Sequence, residues 1–441
     1  MSDTIFALST AMGRSGIAVI RVSGSHAWNA CQVLLGDAQT LPMERQATTR
    51  KLFDPQSGYI LDNAMVIGFR GPRSFTGEDI IEYHIHGGTA IIDAMLSTLS
   101  MLPHHRLAIP GEFTRRGFEN GKMDLTSAEA IADLIHAETE SQRLQALKQM
   151  DGALFHLYEG WKEALARILA FMEADLDFSD QDLPDDLLLK VRPDISGVLS
   201  EIKQHLEDGR RGELLRDGFR LVIIGAPNAG KSSLLNKLVQ REAAIVSPIA
   251  GTTRDVIDVH LNLGGYSIIL ADTAGLRRSE DSIELEGIKR AVNRAEKADL
   301  KILLLDGTTA PEPNILDLYD EKSILVINKS DDIEFKSPSS LKEKIEISAL
   351  NGDGIDDLIA HIIKRLQNIV GQSDAPALTR ARHREALEKA NASLERFLTA
   401  PLPELAAEDL RLAVRHLGSL TGRVDVEDLL DMIFRDFCIG K

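Results

Sequence analysis

The sequence predicts a multidomain protein: an α+β domain at the N-terminus, an all-α helical domain, and an α/β domain inserted into the helical one. Three observations carry this. At 441 residues the chain exceeds what one hydrophobic core holds. Its apolar period changes from strand-like to helical near Asp124, and the helical pattern returns from Ala381 to Lys441. Between the two helical stretches, from Phe219 to about Gly371, strands and helices alternate as in a doubly wound parallel sheet. The boundaries expected are 1–119, 120–215, 216–375 and 376–441. Insertion is tolerated where the ends of the guest lie close together, so one interrupted helical domain is the economical reading.

In the first domain Gly16–Val22, Ala64–Phe69 and Ile80–His86 read as strands, and a helix is expected from Thr89 to Leu102, ended by Pro103. Thr126 with Glu129 has the form of a capping box. After it Ile131, Leu134, Ile135, Leu144 and Leu147 fall at helical spacing. A further helix carries Leu154, Leu157, Trp161, Leu165, Ile168 and Met172, and another is expected from Leu187 to Leu215. Gly264-Gly265 separates two strand-like runs and predicts a hairpin.

Composition narrows the function. The formal net charge of −17 argues against non-specific nucleic-acid binding, so any RNA contact uses local patches or a partner. No apolar run reaches membrane-spanning length, and Met1-Ser2-Asp3-Thr4 does not open a signal peptide; no membrane association is expected. Two cysteines, Cys31 and Cys438, build no disulfide framework, which suits a cytoplasmic setting.

Gly225-Ala226-Pro227-Asn228-Ala229-Gly230-Lys231-Ser232 fits G-x-x-x-x-G-K-[ST] at every fixed position. The buried-strand run Leu221–Ile224 precedes it, and Ser233–Val239 follows with helical spacing. Backbone amides in such a loop point at a polyphosphate, Lys231 reaches the β and γ phosphates, and Ser232 can ligate Mg2+. Asn228, Ala229, Gly230 and Ser233 complete the cradle.

Downstream elements choose the nucleotide. Asn328-Lys329-Ser330-Asp331 has the form N-K-x-D, and Asp331 would accept hydrogen bonds from the ring N–H and amine of guanine, a pair adenine lacks. Ser348-Ala349-Leu350 forms the second base-contacting loop. Asp272-Thr273-Ala274-Gly275 reads as D-x-x-G beside the γ phosphate. Gly251-Thr252-Thr253-Arg254-Asp255 supplies a switch threonine, with Thr253 as second Mg2+ ligand. The order is that of a Ras-like GTPase, with one departure. Leu276 stands where a water-orienting glutamine is usual. Glu284 is the candidate replacement, although by position alone it reads equally as a solvated helix carboxylate.

The phosphate loop, the run Glu242–Ser247 into Gly251–Asp255, and the terminal Phe437-Cys438-Ile439-Gly440-Lys441 together resemble the MnmE (TrmE/ThdF) family of tRNA modification GTPases. Ser74–Asp79, Pro110–Thr114 and Leu125–Ile135 are similar to it as well. The resemblance covers all three domains and implies an α+β folate-binding and dimerisation domain, an all-α helical domain and a Ras-like P-loop GTPase domain. It implies a homodimer whose G domains meet across K+, held by Asn228, Ser247, Ile249 and Thr252, within a GTP site that also includes Pro248, Ala250, Gly251, Thr273 and Ala274. The cation would do the electrostatic work of an arginine finger. Pro248 within that loop is a departure from the family pattern.

The resemblance further implies Glu284 as the water-positioning glutamate and Cys438 as a candidate catalytic residue, the latter reading equally as a small buried apolar side chain. It implies 5-formyltetrahydrofolate, or a related one-carbon folate, on Arg21, Glu82, Lys122 and Lys441. Without it, Arg21 and Lys122 are simply surface cations. The implied function is a potassium-dependent GTPase that joins an MnmG (GidA) flavoprotein in a heterotetramer, meets tRNA through that complex, and forms a carboxymethylaminomethyl group on the wobble uridine (U34). Alternatives are a ribosome-assembly GTPase, which usually carries basic RNA-binding modules, and a slow regulatory GTP switch. His84 and His86 share a strand face without a third ligand for zinc, Asp175–Asp180 lacks a calcium loop's glycine, and Arg380, Arg382 and Arg384 read as a charged helix face.

Overall fold

The computed structural model describes residues 3–177, 187–208, 210–241, 259–270, 296–337, 341, 343–371, 376–424, 430–431, 433–434, 437 and 440. The chain forms two compact units. One comprises Met1–Ala132, Phe155–Ala164 and Val414–Lys441; the other comprises Asp133–Leu154 and Leu165–Ala413.

The first unit is built on a six-stranded sheet of β1 (Thr4–Leu8), β2 (Ser15–Ser23), β3 (Thr48–Phe53), β4 (Ile60–Phe69), β5 (Ile80–Gly87) and β6 (His105–Leu107), in the order β3-β4-β5-β2-β1-β6. All neighbours are antiparallel except β1 and β6. Alternation along β5 explains the two faces: Ile81, Tyr83 and Ile85 are buried, while Glu82 and His84 point the other way. Helices Ala27–Leu35 and Thr89–Ser100 contribute Trp28, Leu34, Met95 and Leu99 to the core behind Ile20, Val22 and Tyr83. The second helix stops at Ser100, short of Leu102, because a residue before proline is kept out of the helical region.

The sheet of the second unit contains β7 (Phe219–Gly225), β8 (Val259–Leu263), β9 (Tyr266–Leu270), β10 (Leu300–Asp306), β11 (Ser323–Asn328) and β12 (Lys344–Glu346), ordered β12-β11-β10-β7-β9-β8. It is parallel apart from β8, which turns back on β9. Leu221, Ile302, Leu304 and Val326 face a core shared with helices Lys231–Arg241 and Ile355–Val370. Val222, Ile224, Leu303 and Leu325 fill the opposite face. Burial on both faces is why these strands are continuous apolar runs. The expected hairpin forms on Gly264 (φ 58°) and Gly265 (φ 88°), positive angles that glycine adopts without strain. In the same unit helix Leu187–Leu206 packs along helix Ala381–Thr399, with Lys203 and Glu395 paired at 2.7 Å.

Two expectations need correction. Thr126 and Glu129 do not cap helix Leu125–His136. Asp124 does, its carboxylate accepting from the amides of Thr126 (2.8 Å) and Ser127 (3.1 Å) while Thr126 lies buried in the first turn. The capping box sits instead at Thr139 and Gln142, opening helix Glu140–Met150. The single helix expected from Leu187 to Leu215 is two, Leu187–Leu206 and Arg211–Asp217. The break falls in the polar run 207–213, and Ile135 and Leu144, placed on one apolar stripe, are exposed.

Beside the first sheet, helix Glu112–Glu119 organises a buried ionic network. Glu112 takes both Arg106 nitrogens (2.6 and 2.9 Å), Arg116 Nη2 (3.0 Å) and the Ile109 amide (3.0 Å), and Arg116 pairs with Glu78 at 3.0 Å. Burial alone pushes the Glu112 carboxyl up, but the bonds from Arg106, Ile109 and Arg116 outweigh it and hold the group below the ordinary glutamate range. A depressed folded value means stability that is present above the ordinary pKa of about 4.3 and lost as pH falls through the folded one. Glu112→Gln should therefore cost roughly 1–3 kcal/mol near pH 7 and flatten the loss of stability below about pH 4. Urea unfolding of both proteins across pH 3 to 7 measures this.

Candidate functional site

The second unit's site is set by where its strands end. β7 delivers Gly225 against β10 so closely that a Cβ there would lie 2.4 Å from the Leu304 carbonyl. The loop then turns through Asn228 (φ 65°) and Gly230 (φ 97°) before helix Lys231–Arg241 begins. Asparagine is among the few non-glycine residues that tolerate this left-handed region, and such strain gathers at binding loops. Lys231 Nζ donates to the carbonyls of Gly225 (2.7 Å) and Ala226 (2.6 Å), and burial lowers its pKa. A phosphate in the loop would compete with those carbonyls and restore a full counter-charge. Ser232, Ser233 and Asn228 are exposed at the loop's lip, while Ala229 is buried beneath.

Asn328, at the end of β11, ties three loops together. Its Nδ2 donates to the Ala229 carbonyl (2.7 Å) and its Oδ1 accepts from the Ala349 amide (2.9 Å). Gly230 is needed there, since its Cβ would sit 2.1 Å from Asn328 Nδ2. The buried Ser348 donates its hydroxyl to Asp331 and accepts from the Asn351 amide at 3.0 Å. One oxygen of the exposed Asp331 carboxylate is thus fixed. Lys329, with φ 68°, pairs with Asp306 at 2.5 Å. Burial opposes ionisation of Asp306, but bonds from Lys329 and Thr308 keep its pKa low. Sequence reasoning missed Asp306; the signal was an apolar strand run ending abruptly in Asp-Gly.

Asn228, Ala229, Gly230, Lys231, Ser232, Ser233, Asn328, Lys329, Asp331, Ser348 and Ala349 are therefore brought to the C-terminal edge of one parallel sheet, the position where open α/β sheets bind ligands. Ser247, Pro248, Ile249, Ala250, Gly251, Thr252, Thr253, Asp272, Thr273, Ala274, Gly275 and Glu284 lie outside the described residues, as do Cys438 and Lys441.

In the first unit Arg21 and Glu82 are direct cross-strand partners on β2 and β5, bonded at 2.9 Å through Nε and 2.8 Å through Nη2. Both contacts use Glu82 Oε1, while Oε2 faces His84 Nε2 at 3.6 Å. The guanidinium lies over Phe75 (5.4 Å) and Phe113 (5.7 Å). Lys122 is held nearby by its stem, since a Cβ on Gly77 would meet its Cγ at 3.3 Å. Phe75 and Gly77 belong to the loop that Glu78 fastens to Ser23 and Arg116. The C-terminal segment also belongs to this unit. Ser9 donates its hydroxyl to Gly440 O (3.0 Å), and a Cβ on Gly440 (φ 98°) would lie 2.1 Å from the Leu8 carbonyl.

Two family profiles match the chain. That described as the GTP-binding protein TrmE N-terminus covers residues 4–122, and that described as the MnmE helical domain covers residues 125–438. A tRNA modification GTPase MnmE of Parvibaculum lavamentivorans is 54% identical over the whole of both chains. The chain belongs to the MnmE family. Relatives of the same name from Paramagnetospirillum magneticum and Rickettsia canadensis are 51% and 46% identical, again over the full length of each. Among solved structures, the G domain of the T. maritima FeoB iron transporter is similar over 34% of this chain and 99% of its own, at 26% identity and a TM-score of 0.26. Family membership makes the chain a GTPase with a role in tRNA modification. No helix among the described residues is long and apolar enough to cross a membrane.

The role of Asp331 can be read from nucleotide choice. Asp331→Asn should weaken GTP binding by about 100-fold or more, because a carboxamide cannot accept from both guanine donors. Xanthine carries a carbonyl where guanine has its amine, so the same substitution should tighten binding of xanthosine triphosphate. Calorimetric titration of wild type and variant with each nucleotide directly measures the exchange.

Proposed function

We propose that this GTPase is potassium-dependent and that it works with an MnmG-type flavoprotein to form the carboxymethylaminomethyl group on the wobble uridine of certain tRNAs. The observation that carries the reading is full-length similarity to tRNA modification GTPases, supported by the hydrogen bonds that hold Asn328, Asp331 and Ser348 together at one sheet edge, where they would meet guanine. Mg2+ would sit between Ser232 and Thr253. K+ would be held by Asn228, Ser247, Ile249 and Thr252, supplying positive charge where other GTPases use arginine. The exposed Asn228 at the loop's lip suits that position. Glu284 would orient the attacking water in place of the glutamine that Leu276 displaces. GTP hydrolysis would drive conformational change, the flavin chemistry being the partner's.

In the first unit the Arg21–Glu82 pair and Lys122 offer a cation, a carboxylate and an ammonium around two aromatic rings, the chemistry that suits a formyltetrahydrofolate. Lys441 would complete that site from the tail, which Gly440 anchors at Ser9, and Cys438 would be a candidate catalytic residue beside it. The TrmE-type N-terminal domain fits a homodimer, and a cytoplasmic location follows from tRNA as substrate.

Turnover in potassium should exceed turnover in sodium by about tenfold or more. Glu284→Ala should lower kcat by about 100-fold in potassium while GDP affinity holds. Hydrolysis that ignores both the cation and the substitution would overturn the mechanism. Wobble uridine modification that survives deletion of the gene, read by mass spectrometry of tRNA, would overturn the pathway.

A further inference from the structure

Helix Glu140–Met150 belongs to the second unit, and its first turn is fastened to the hairpin turn between β8 and β9 and to helix Arg211–Asp217, which leads into β7. Thr139 and Gln142 close a capping box in which Gln142 Oε1 accepts from the amides of Thr139 (3.1 Å) and Glu138 (3.0 Å). Those bonds leave the Ser141 amide and the Gln142 carboxamide nitrogen free to reach outward. Ser141 donates both its amide (3.2 Å) and its hydroxyl (2.7 Å) to the carbonyl of Gly265, in the turn between β8 and β9. Gln142 Nε2 donates to the carbonyl of Arg216 (2.9 Å), three residues before β7 begins, and Gln145 Nε2 to that of Gly212 (3.0 Å). The hairpin turn itself is tight: the Gly265 amide bonds Asn262 Oδ1 at 3.0 Å, and Gly264 abuts Ile363.

One helix end therefore holds both the turn that opens β9 and the short helix that leads into β7, two strands that are adjacent and parallel, with Phe219 opposite Ile268 and Leu221 opposite Leu270. Their far ends bear on the nucleotide: β7 runs into the phosphate loop, and Asp272 follows β9 by two residues in the sequence. Strands of this kind are stiff over their length, so the relative height of their far ends depends on how their near ends are held. We propose that Ser141 and Gln142 are positioning residues for GTP hydrolysis, fixing β9 against β7 and coupling the first turn of helix Glu140–Met150 to the nucleotide state. Coupling of this sort is reciprocal: what GTP does to the joint, the joint does to the preference for GTP over GDP. The inference rests on the reading of Gly225–Ser232 as the phosphate loop and of Asp272 as its partner.

Full-length Ser141→Ala, Ser141→Thr and Gln142→Glu variants test it. Gln142→Glu keeps the acceptor that caps the helix and removes the donor to Arg216, so it cuts the link without uncapping the helix. Ser141→Ala and Gln142→Glu should each lower kcat, or shift the ratio of GTP-analogue to GDP affinity, by about three- to tenfold, the worth of one hydrogen bond. GDP affinity and thermal midpoint should stay near wild type, and Ser141→Thr should restore the hydroxyl's share to within twofold. If kcat and the affinity ratio stay within twofold of wild type in both link-cutting variants, the proposal fails. It fails equally if activity falls only in step with thermal stability, or if threonine does not rescue alanine. Loss of GDP binding in the wild type would instead sink the phosphate-loop reading beneath it.

Discussion

The carboxamide of Asn328 is the constraint on which the nucleotide pocket depends. It is buried, and its donor and acceptor are used on different loops, Ala229 on one side and Ala349 on the other. A buried amide or carbonyl left unpaired costs more than the bond gains. Asn328 thus sets the separation between the phosphate loop and the base-contacting loop, and the bare α-carbon of Gly230 is what lets it approach. Asp331, three residues on, inherits its position from this tie and its rotamer from Ser348.

The first unit repeats the logic with charge in place of amides. Glu112 collects two guanidinium groups and an amide, and Arg116 passes the constraint to Glu78, which bonds Ser23. The loop carrying Phe75 and Gly77 is pinned by that chain of contacts. Since Phe75 lies against Arg21 and Gly77 against Lys122, the network sits one shell behind the residues proposed to meet folate. Buried ion pairs contribute little to net stability against apolar packing, so their value here is geometric.

Legibility in the sequence followed physical locality. The phosphate loop, N-K-x-D and the Gly-Gly turn were readable because each is a short run whose conformation is set by its own residues. Helix ends were readable only in part. The Thr126–Glu129 pattern had the right residue types, yet Asp124 lies two residues earlier and its carboxylate reaches the free amides first. The division of 187–215 was missed although 207–213 carries no apolar residue and two glycines, a break signal that was passed over in joining Leu206 to Leu214. Ion networks were invisible for a different reason: Arg106, Glu112, Arg116 and Glu78 are joined by tertiary placement, and no spacing rule links Glu78 to a residue 38 positions away. The Arg21–Glu82 pair needed the register of β2 on β5 before it could be called a contact.

The net charge of −17 bears on how such a chain acts on tRNA. Non-specific affinity for RNA comes from releasing counterions around neutralised phosphates, which an acidic surface does not do. The basic groups that sequence reading had set aside as a possible contact are partly committed elsewhere: Arg380 binds Asp133 at 2.7 Å, and Arg384 binds Asp208 at 2.9 Å and Glu213 at 3.0 Å. The Arg384 pairs hold helix Ala381–Thr399 to the segment that enters β7, so they serve the same junction as Gln142 and Arg216. Arginines spent on holding that junction are poorly placed to bind phosphates as well. A GTPase built in this way gains more from presenting its nucleotide state to a partner that holds the tRNA than from holding the tRNA itself, which is the division of labour the proposed flavoprotein complex would provide.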